Sequence, residues 1–309
     1  MQTVGVGHWL VLITSCLMLA AAVGCVNSPP HRTPQGVTPV STTVLQAVYQ
    51  IREGLYSGNA PETAAAFADL EHLRIKTIIS VDGAQPHVEL ARAIDARYVH
   101  LPLGYNGISA SQRLTLCRAV NALPKPIYIH CHKGRHRGPA AAGVAVIGVY
   151  GWSSARAADA LRAIGTSPRY SGLYRSVTEM APLPSVALSG HDFVFPEVAE
   201  TPPLTLAMAT ASRVEARLEL ARKSGWQTPP DHPDIDPAHE ALQLKEIFRE
   251  LARNLKPDSA GFVDALSAID SAAADLEASI RAGRQTRANA KFAKIQEDCT
   301  ACHTRFRDE

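Results

Sequence analysis

The sequence has little net charge, no internal repeat and no apolar run that comfortably spans a membrane. Its 31 basic and 29 acidic residues leave a formal charge of +2, so we expect no nucleic-acid partner on the basis of charge. The apolar run at residues 9–24 is shorter than the roughly 20 residues that a spanning helix needs. At 309 residues the chain is long enough for about two domains.

Acidic residues are missing from one long stretch, because no Asp or Glu occurs between Asp95 and Asp159. The same stretch contains the basic run from Lys133 to Arg137. Local charge of one sign attracts ligands of the opposite sign. The sequence therefore predicts that this part of the chain binds an anion.

The amino-terminal residues resemble the export signal of a bacterial lipoprotein. The apolar run 9–24 has the length of a signal-peptide core. The segment 22–25 resembles a lipobox, whose cysteine is lipidated after cleavage. We expect residues 1–24 to be a signal peptide and Cys25 to anchor the protein to a membrane in the periplasm or cell envelope. The alternative is an ordinary secretory signal that is cut nearby.

Composition divides the remaining chain into four segments. Residues 25–43, rich in Pro, Thr and Ser, are predicted to form a disordered tether, and residues 182–203 a proline-rich linker. Residues 44–181 alternate β-rich with helical stretches, which predicts an α/β domain with a mostly parallel central sheet flanked by helices. In residues 204–309 the β signal disappears, and amphipathic stretches predict an all-α four-helix bundle.

The expected strands and helices follow from periodicity and capping residues. Asp236 and Pro237 are an N-cap and a first helical proline, and Gly283 separates the last two helices. The predicted strands are Val48–Arg52, Thr77–Val81, Tyr98–Leu103 and Ile127–Cys131.

Cys131 and Arg137 frame a loop between a strand and an alanine-rich helix. The backbone N–H groups of such a loop form a concave site for a phosphate dianion. The same dipoles favour the thiolate of Cys131, and the planar fork of Arg137 suits two phosphate oxygens. The predicted phosphate-binding residues between them are His132, Lys133, Gly134, Arg135 and His136. The alternatives are a structural cysteine beside an incidental basic helix start, and a rhodanese-like sulfur carrier.

With His130 before the loop, residues 44–180 resemble the dual-specificity branch of the protein tyrosine phosphatases. The other matching segments are 54–58, 77–82 and 98–103. The resemblance implies that Cys131 attacks phosphorus to give a phosphocysteine, which water hydrolyses. It implies a phosphorylated small molecule or phosphoprotein as substrate, and a role for His130 in fixing the loop.

Two positions depart from that family's pattern. The family places Ser or Thr directly after the arginine, where the hydroxyl helps the thiolate to leave, but this chain has Gly138. The family's general-acid Asp is replaced by Asn106. Asp82 could substitute for the acid or could be a helix cap. Since protonating the leaving group contributes about 10²–10⁴-fold, both slow turnover and phosphate binding without turnover are open.

Residues 299–303 have the pattern Cys-x-x-Cys-His, which is the attachment motif of a covalently bound c-type haem. On the last of four helices, the motif resembles class II cytochromes c, the cytochrome c-prime type, over residues 204–309. The resemblance implies that Cys299 and Cys302 form thioethers and that His303 is the proximal iron ligand. A structural zinc or redox pair is the alternative.

The remaining candidate ligand and the remaining cysteine each have two interpretations. Met208 lies on the apolar stripe of the first bundle helix, where it could be the sixth ligand of an electron-transfer haem or simply fill the core. Cys117 is interpreted as a core residue, with a resolving thiol for oxidised Cys131 as the alternative.

Together these features predict an exported phosphatase-like protein that hydrolyses a phosphomonoester. Its appended haem domain would serve electron transfer, or redox or gas sensing. The alternative is a non-catalytic module that binds phosphate or another anion, attached to an electron-transfer cytochrome. Both predict a redox partner and a lipid-anchored location at a membrane.

Overall fold

The computed structural model describes residues 37–190, 193–254 and 260–306, together with Met1. The predicted signal peptide 1–24 beyond Met1, the predicted lipidation site Cys25 and most of the predicted tether lie outside the described residues. No helix in the described ranges is both long enough and apolar enough to cross a membrane.

A mixed sheet lies at the centre of the amino-terminal domain. Its strands in the described residues are β1 Thr38–Pro39, β2 Tyr49–Arg52, β3 Leu55–Asn59, β4 Thr77–Ser80, β5 Arg97–His100 and β6 Ile127–Cys131. They are ordered β1-β2-β3-β6-β4-β5. Strands β3, β6, β4 and β5 are parallel, while β1 and β2 are antiparallel additions at one edge. The predicted mostly parallel α/β architecture is confirmed.

Helices cover both faces of this sheet. Their bounds are α1 Ala64–His72, α2 Val88–Ala93, α3 Ala110–Ala122, α4 Arg137–Tyr150, α5 Ser154–Ile164, α6 Ser171–Thr178 and α7 Ser185–Leu188. Helix α4 packs into the core on one face, and its small Ala and Gly side chains let it approach the sheet closely. A second core, built around Phe67 and Tyr98, joins the other face to α1 and α2.

Strand β3 was not among the predicted strands. Glycine is unfavourable in strands, and β3 contains Gly58 and follows Gly54. Gly54 takes φ +73° in the turn from β2. The Tyr128 hydroxyl occupies the space where a side chain at Gly58 would lie. Tertiary packing therefore makes a strand from a segment that is unfavourable by local propensity.

The prediction of a disordered tether through residue 43 is wrong for residues 37–43, which the structure describes. Strand β1 pairs with β2, and Val37 is buried. The Asp69 carboxylate accepts hydrogen bonds from the backbone N–H groups of Thr43, Val44 and Leu45 at 2.7–3.0 Å. A single distant carboxylate thus fixes a segment whose own composition favours disorder.

Residues 195–199 of the predicted proline-rich linker 182–203 lie along the β5 edge of the sheet, whereas α7 of the same segment lies against α3. The Pro196 carbonyl accepts the His100 N–H at 2.8 Å. The Phe195 carbonyl accepts from Arg97 Nη2 at 3.2 Å, and the Phe195 ring is buried in the core. The linker thereby covers backbone groups that an edge strand would otherwise expose.

Helices α8 Pro203–Lys223, α9 Pro237–Asn254, α10 Ala260–Arg281 and α11 Gln285–Phe306 form the predicted all-α bundle. Asp236 caps α9 as predicted, because its Oδ1 accepts the N–H groups of Ala238 and His239 at 2.9 and 3.1 Å. Gly283, at φ +64°, lies between α10 and α11.

Candidate active site and haem site

The loop between β6 and α4 is pressed against the end of β3. Gly134 has φ +67°. A Cβ added at Gly134 would lie 2.5 Å from both Asn59 N and Gly58 C. Only glycine meets both the conformational and the spatial requirement, so this position fixes the path of the loop.

Cys131 is the last residue of β6 and lies on the face that α4 covers. Its side chain is buried, with 3% of the residue exposed, and it forms no disulfide. The first turn of α4 is close, since a Cβ added at Gly138 would lie 3.3 Å from Cys131 N. Helix amino termini attract anions through their free N–H groups and dipole. The loop therefore combines a buried nucleophile with an anion-attracting backbone.

Arg137 is held over the loop by three neighbours. Its Nη2 donates to Asp82 Oδ1 at 2.9 Å, and its Nη1 donates to the Leu103 carbonyl at 3.4 Å. The guanidinium stacks 4.5 Å above the Tyr105 ring. Burial would lower the pKa of Arg137, but Tyr105, Asp82 and Cys131 raise it. Among the described residues its buried Nε has no hydrogen-bond partner, so one donor remains for a bound oxyanion.

Asp82 forms a buried ion pair with Arg137. Burial alone would raise the pKa of Asp82, but Arg137, followed by Arg213 and the histidines of the loop, lowers it below the usual range. Its Oδ1 also accepts the Gly83 N–H at 2.7 Å. Asp82 caps no helix, because α2 begins after His87. The helix-cap interpretation of Asp82 is therefore wrong, and the carboxylate is paired with Arg137 instead.

Asn106 lies on the segment that reaches over the site. It is exposed and follows Tyr105, whose ring contacts Arg137. The backbone at Asn106 is packed tightly against Gly172 at the start of α6. The position expected for a general acid is therefore near the loop, but an amide occupies it.

His130 is a buried structural residue. The Tyr98 hydroxyl and His130 Nε2 share a hydrogen bond of 2.6 Å, and the Tyr128 ring stacks on the imidazole. Burial lowers the pKa of His130 to about 3 and raises the pKa of Tyr98 well above its usual range. A neutral imidazole and a protonated phenol therefore brace the strand that ends at Cys131.

His132, one of the predicted phosphate-binding residues, is partly buried. Burial, helped by Arg213 and Lys133, lowers the pKa of His132, although Asp82 and Glu62 oppose the shift. The imidazole is neutral near pH 7. Neither of its ring nitrogens has a hydrogen-bond partner among the described residues, so His132 can offer a donor to an anion but little charge.

The other loop residues point mainly outward. The side chains of Lys133 and Arg135 are exposed. The backbone carbonyl of Arg135 accepts the Thr166 hydroxyl at 2.7 Å. His136 Nδ1 accepts the Ser167 N–H at 3.3 Å, and its ring contacts Tyr170. The side chains of Lys133 and Arg135 therefore face solvent, and His136 packs against residues 167–170.

Cys117 is a core residue. Its Sγ lies 3.7 Å from the Val144 carbonyl and packs against Gly148, well along α4 from the Cys131 end. Burial raises the pKa of Cys117 to about 12. Because residues 137 and 148 are separated by roughly 16 Å of helix, Cys117 is poorly placed as a resolving thiol.

The Cys-x-x-Cys-His motif lies in the last two turns of α11. Cys302 is buried, Cys299 packs against the bundle core, and neither forms a disulfide. Burial, with a contribution from Glu215, raises the pKa of Cys299 to about 12. His303 follows directly and is exposed. The two thiols are thus one helical turn apart and directed towards the bundle.

A family model described as Cytochrome C' matches residues 250–307, and no curated protein matches the chain. Two crystal structures of P. aeruginosa TpbA are each 22% identical to the chain. One, in complex with pTyr, covers 48% of this chain and 92% of its own with a TM-score of 0.43. The match to the other covers 47% of this chain and 91% of the TpbA chain, with a TM-score of 0.42. The crystal structure of a DUF442 protein from Shewanella putrefaciens CN-32 is 16% identical to the chain. That match covers 43% of this chain and 90% of the DUF442 chain, with a TM-score of 0.35.

The chain joins a phosphatase-like domain to a cytochrome c′-like domain. The matched family residues cover α10 and α11 and include the whole Cys-x-x-Cys-His motif.

The residues of the cytochrome c′-like domain fit a covalent haem. Cys299 and Cys302 are free thiols with the required spacing, and His303 supplies the adjacent imidazole. Met208 of α8 is half-buried against the same bundle core as Cys299. That location agrees with both earlier interpretations of Met208, ligand or core residue.

The two domains meet beside the phosphatase-like loop. Lys133 Nζ lies 3.8 Å from Glu215 Oε2 of α8. The other oxygen of Glu215 accepts from Gln296 Nε2 at 2.9 Å. Gln296 is about one helical turn before Cys299. One carboxylate therefore connects the loop to the helix that carries the haem motif.

Three residues near the loop were not expected from the sequence: Tyr98, Tyr105 and Ser57. Ser57 and Tyr98 belong to the segments 54–58 and 98–103 that match the phosphatases, but nothing local identifies the side chains they contact. Ser57 is 99% buried and its hydroxyl has no partner among the described residues. Since β3 was not predicted as a strand, no local feature placed Ser57 next to the strand that ends at Cys131.

Proposed function

We propose that the phosphatase-like domain hydrolyses a phosphomonoester through a phosphocysteine on Cys131. The observation that carries the proposal is the arrangement of Arg137. The guanidinium is fixed over the loop by Asp82, Leu103 and Tyr105, yet its buried Nε has no partner in the described chain. A buried donor without a partner is unfavourable, and a phosphate oxygen would satisfy it.

In the first step the Cys131 thiolate attacks phosphorus, so that an S–P bond forms and the P–O bond to the leaving group breaks. Arg137 and the loop amides neutralise charge on the phosphoryl oxygens. Water then attacks phosphorus and the S–P bond breaks, which releases inorganic phosphate and the thiolate. Because Asn106 cannot supply a transferable proton, the leaving oxygen takes its proton from solvent.

The missing acid favours substrates with phenolic leaving groups. A phenolate departs without prior protonation far more readily than an alkoxide, so the penalty for lacking the acid is smaller. We therefore propose aryl phosphates, including phosphorylated tyrosine in a protein or a small phenolic phosphate, as the substrate class.

Trapping the intermediate tests this mechanism directly. During turnover of an aryl phosphate, acid quenching followed by mass spectrometry should show a phosphoryl group on Cys131. The adduct should be absent in Cys131→Ser and present in Cys117→Ser, which changes a buried thiol away from the loop. Aryl phosphate turnover without an adduct in any sample would contradict the phosphocysteine mechanism.

A second candidate function is binding of phosphate or another anion without turnover, attached to an electron-transfer cytochrome. The exposed amide at Asn106 favours it. In that case inorganic phosphate or vanadate should bind and protect Cys131 from alkylation, while aryl phosphates remain intact.

For the other domain we propose that Cys299 and Cys302 hold haem c covalently and that His303 ligates its iron. A bound haem would supply one-electron chemistry or a site for a small gaseous ligand. A redox partner would exchange electrons with it. The link from Lys133 through Glu215 and Gln296 supports a further proposal, that the haem state influences the loop.

We also propose that the protein is exported and held at a membrane by lipid on Cys25. The lipobox-like sequence supports this location, as does the haem motif, because covalent haem attachment in bacteria occurs outside the cytoplasm. The protein would then act on substrates in the periplasm or cell envelope.

Covalent haem attachment should depend on the two thiols of α11. Protein made in a host with haem-attachment machinery should retain haem through denaturing electrophoresis and give a c-type pyridine haemochrome spectrum. The double variant Cys299→Ala/Cys302→Ala should lose both signals, and Cys117→Ser should keep both. Wild-type protein without bound haem under these conditions would contradict the assignment.

A further inference from the structure

Ser57 lies on the same face of the sheet as Cys131, on the neighbouring strand and diagonally offset by two residues. Strand β3 pairs with β6 in parallel, with Asn59 opposite Cys131 and Ser57 opposite Ile129. Since side chains alternate between faces along a strand, Ser57 shares the face of Ile129 and Cys131. This is also the face that α4 covers.

The Ser57 hydroxyl is a buried polar group without a partner. The residue is 1% exposed, and Ser57 Oγ makes no hydrogen bond within the described part of the chain. Burying an unpaired hydroxyl is unfavourable. An apolar side chain would avoid this cost, so the hydroxyl calls for an explanation.

Gly138 explains where the hydroxyl lies. A Cβ added at Gly138 would be 3.2 Å from Ser57 Oγ and 3.3 Å from Cys131 N. The first of these contacts is tighter than most real Cβ contacts. The space next to Cys131 that a side chain at position 138 would enter is therefore already bordered by the Ser57 hydroxyl.

We propose that Ser57 supplies to Cys131 the hydroxyl that the resembled phosphatases carry directly after their arginine. This inference rests on the proposed hydrolysis of a phosphomonoester. The Ser57 hydroxyl on β3 is accommodated because residue 138 is glycine. A serine at position 138 would compete with Ser57 for the same space.

Ser57 acts by hydrogen bonding and transfers no proton. When the S–P bond of phosphocysteine breaks, its electron pair stays on sulfur as water oxygen bonds to phosphorus. Ser57 Oγ makes no hydrogen bond with Cys131 Sγ in the structure, so the proposed donation requires the Ser57 side chain to rotate about Cα–Cβ to another staggered position. Hydrogen bonds to charged groups are the stronger ones, so the donor assists the departure of the thiolate more than its attack.

Steady-state and pre-steady-state kinetics of aryl phosphate hydrolysis test the inference. Ser57→Ala should lower kcat by roughly 10- to 100-fold, the effect of losing one hydrogen bond to a charged group. The initial burst should remain and phosphocysteine should accumulate, because its hydrolysis is slowed more than its formation. Ser279→Ala, which removes a buried serine from α10 of the bundle, should leave the kinetics unchanged.

A second variant pair separates this role from a simple packing effect. Gly138→Ser alone should lower activity, because its added atoms meet Ser57 Oγ. The combination Ser57→Ala/Gly138→Ser relieves that contact and restores one hydroxyl, so its kcat should exceed that of Ser57→Ala. A double variant as slow as Ser57→Ala, or a Ser57→Ala variant with normal kcat, would overturn the inference.

Alkylation of Cys131 by iodoacetamide provides a readout that needs no turnover. At a fixed neutral pH the reaction should be slower in Ser57→Ala than in wild type, since the thiolate loses a donor. If wild type hydrolyses no aryl phosphate, the proposed function fails and alkylation alone decides the role of Ser57. Equal alkylation rates in wild type and Ser57→Ala would reject that role.

Discussion

Asn106→Asp should raise the rate of alkyl phosphate hydrolysis by about 10²–10⁴-fold, the usual contribution of a general acid. The substitution is nearly isosteric. It adds an acid on an exposed segment whose neighbour, Tyr105, contacts Arg137. A protonated carboxyl there could give its proton to the leaving alkoxide. Aryl phosphates should gain much less, because phenolates need little protonation.

The gain in rate from Asn106→Asp should decrease as the pH rises. Only the protonated carboxyl acts as the acid, and an ordinary Asp loses its proton near pH 4. The advantage of Asn106→Asp should therefore be largest in mildly acidic buffer and should shrink as the pH rises. Profiles of kcat/KM for an alkyl and an aryl phosphate would measure this.

Asn121→Asp is the matched control for this gain of activity. Asn121 is exposed near the end of α3, so the same chemical change there should leave both profiles as in wild type. If Asn106→Asp matched wild type at every pH with both substrates, the segment 104–107 would not reach the leaving group.

Arg137→Lys should lower kcat/KM for an aryl phosphate by about 10²–10³-fold, although it preserves the positive charge. A lysine can still pair with Asp82, but its ammonium cannot also reproduce the Nε donor. Nor can it provide the planar fork that fits two phosphate oxygens. Competitive inhibition by vanadate should weaken in parallel, because the same oxygens are bound.

The control for this loss is Arg135→Lys in the same loop. The Arg135 side chain is exposed, and the Thr166 hydroxyl contacts only its backbone carbonyl. We expect its kcat/KM to stay within about twofold of wild type, as for most surface substitutions. Similar losses in the two variants would show that total loop charge matters more than the geometry of Arg137.

Much of the fold followed from local patterns. Strand β6 was predicted with its observed bounds, because its residues are continuously apolar up to His130 and basic residues follow Cys131. The bundle helix α9 begins at its predicted cap because Asp236 and Pro237 act within one turn. The missed strand β3 and the ordered residues 37–43 depend instead on Tyr128 and Asp69, which are distant in sequence.

The charge states of the loop also needed the tertiary structure. By sequence, His132 and Asp82 were simply a basic and an acidic residue near an anion site. Burial lowers the pKa of His132, and Arg137 lowers the pKa of Asp82 despite its burial. A pKa depends on all charges and apolar groups nearby, most of which come from other strands and from α8.

The sequence alone determined which reactive groups this protein has. A strand, a Cys-x5-Arg loop and a helix are contiguous, as is Cys-x-x-Cys-His, so spacing along the chain sets their geometry. Only the tertiary structure decided what surrounds those groups. It brought Asp82 to Arg137, Ser57 to the space beside Gly138, and Glu215 between the loop and α11. Such contacts join residues tens of positions apart, where neither periodicity nor propensity carries information.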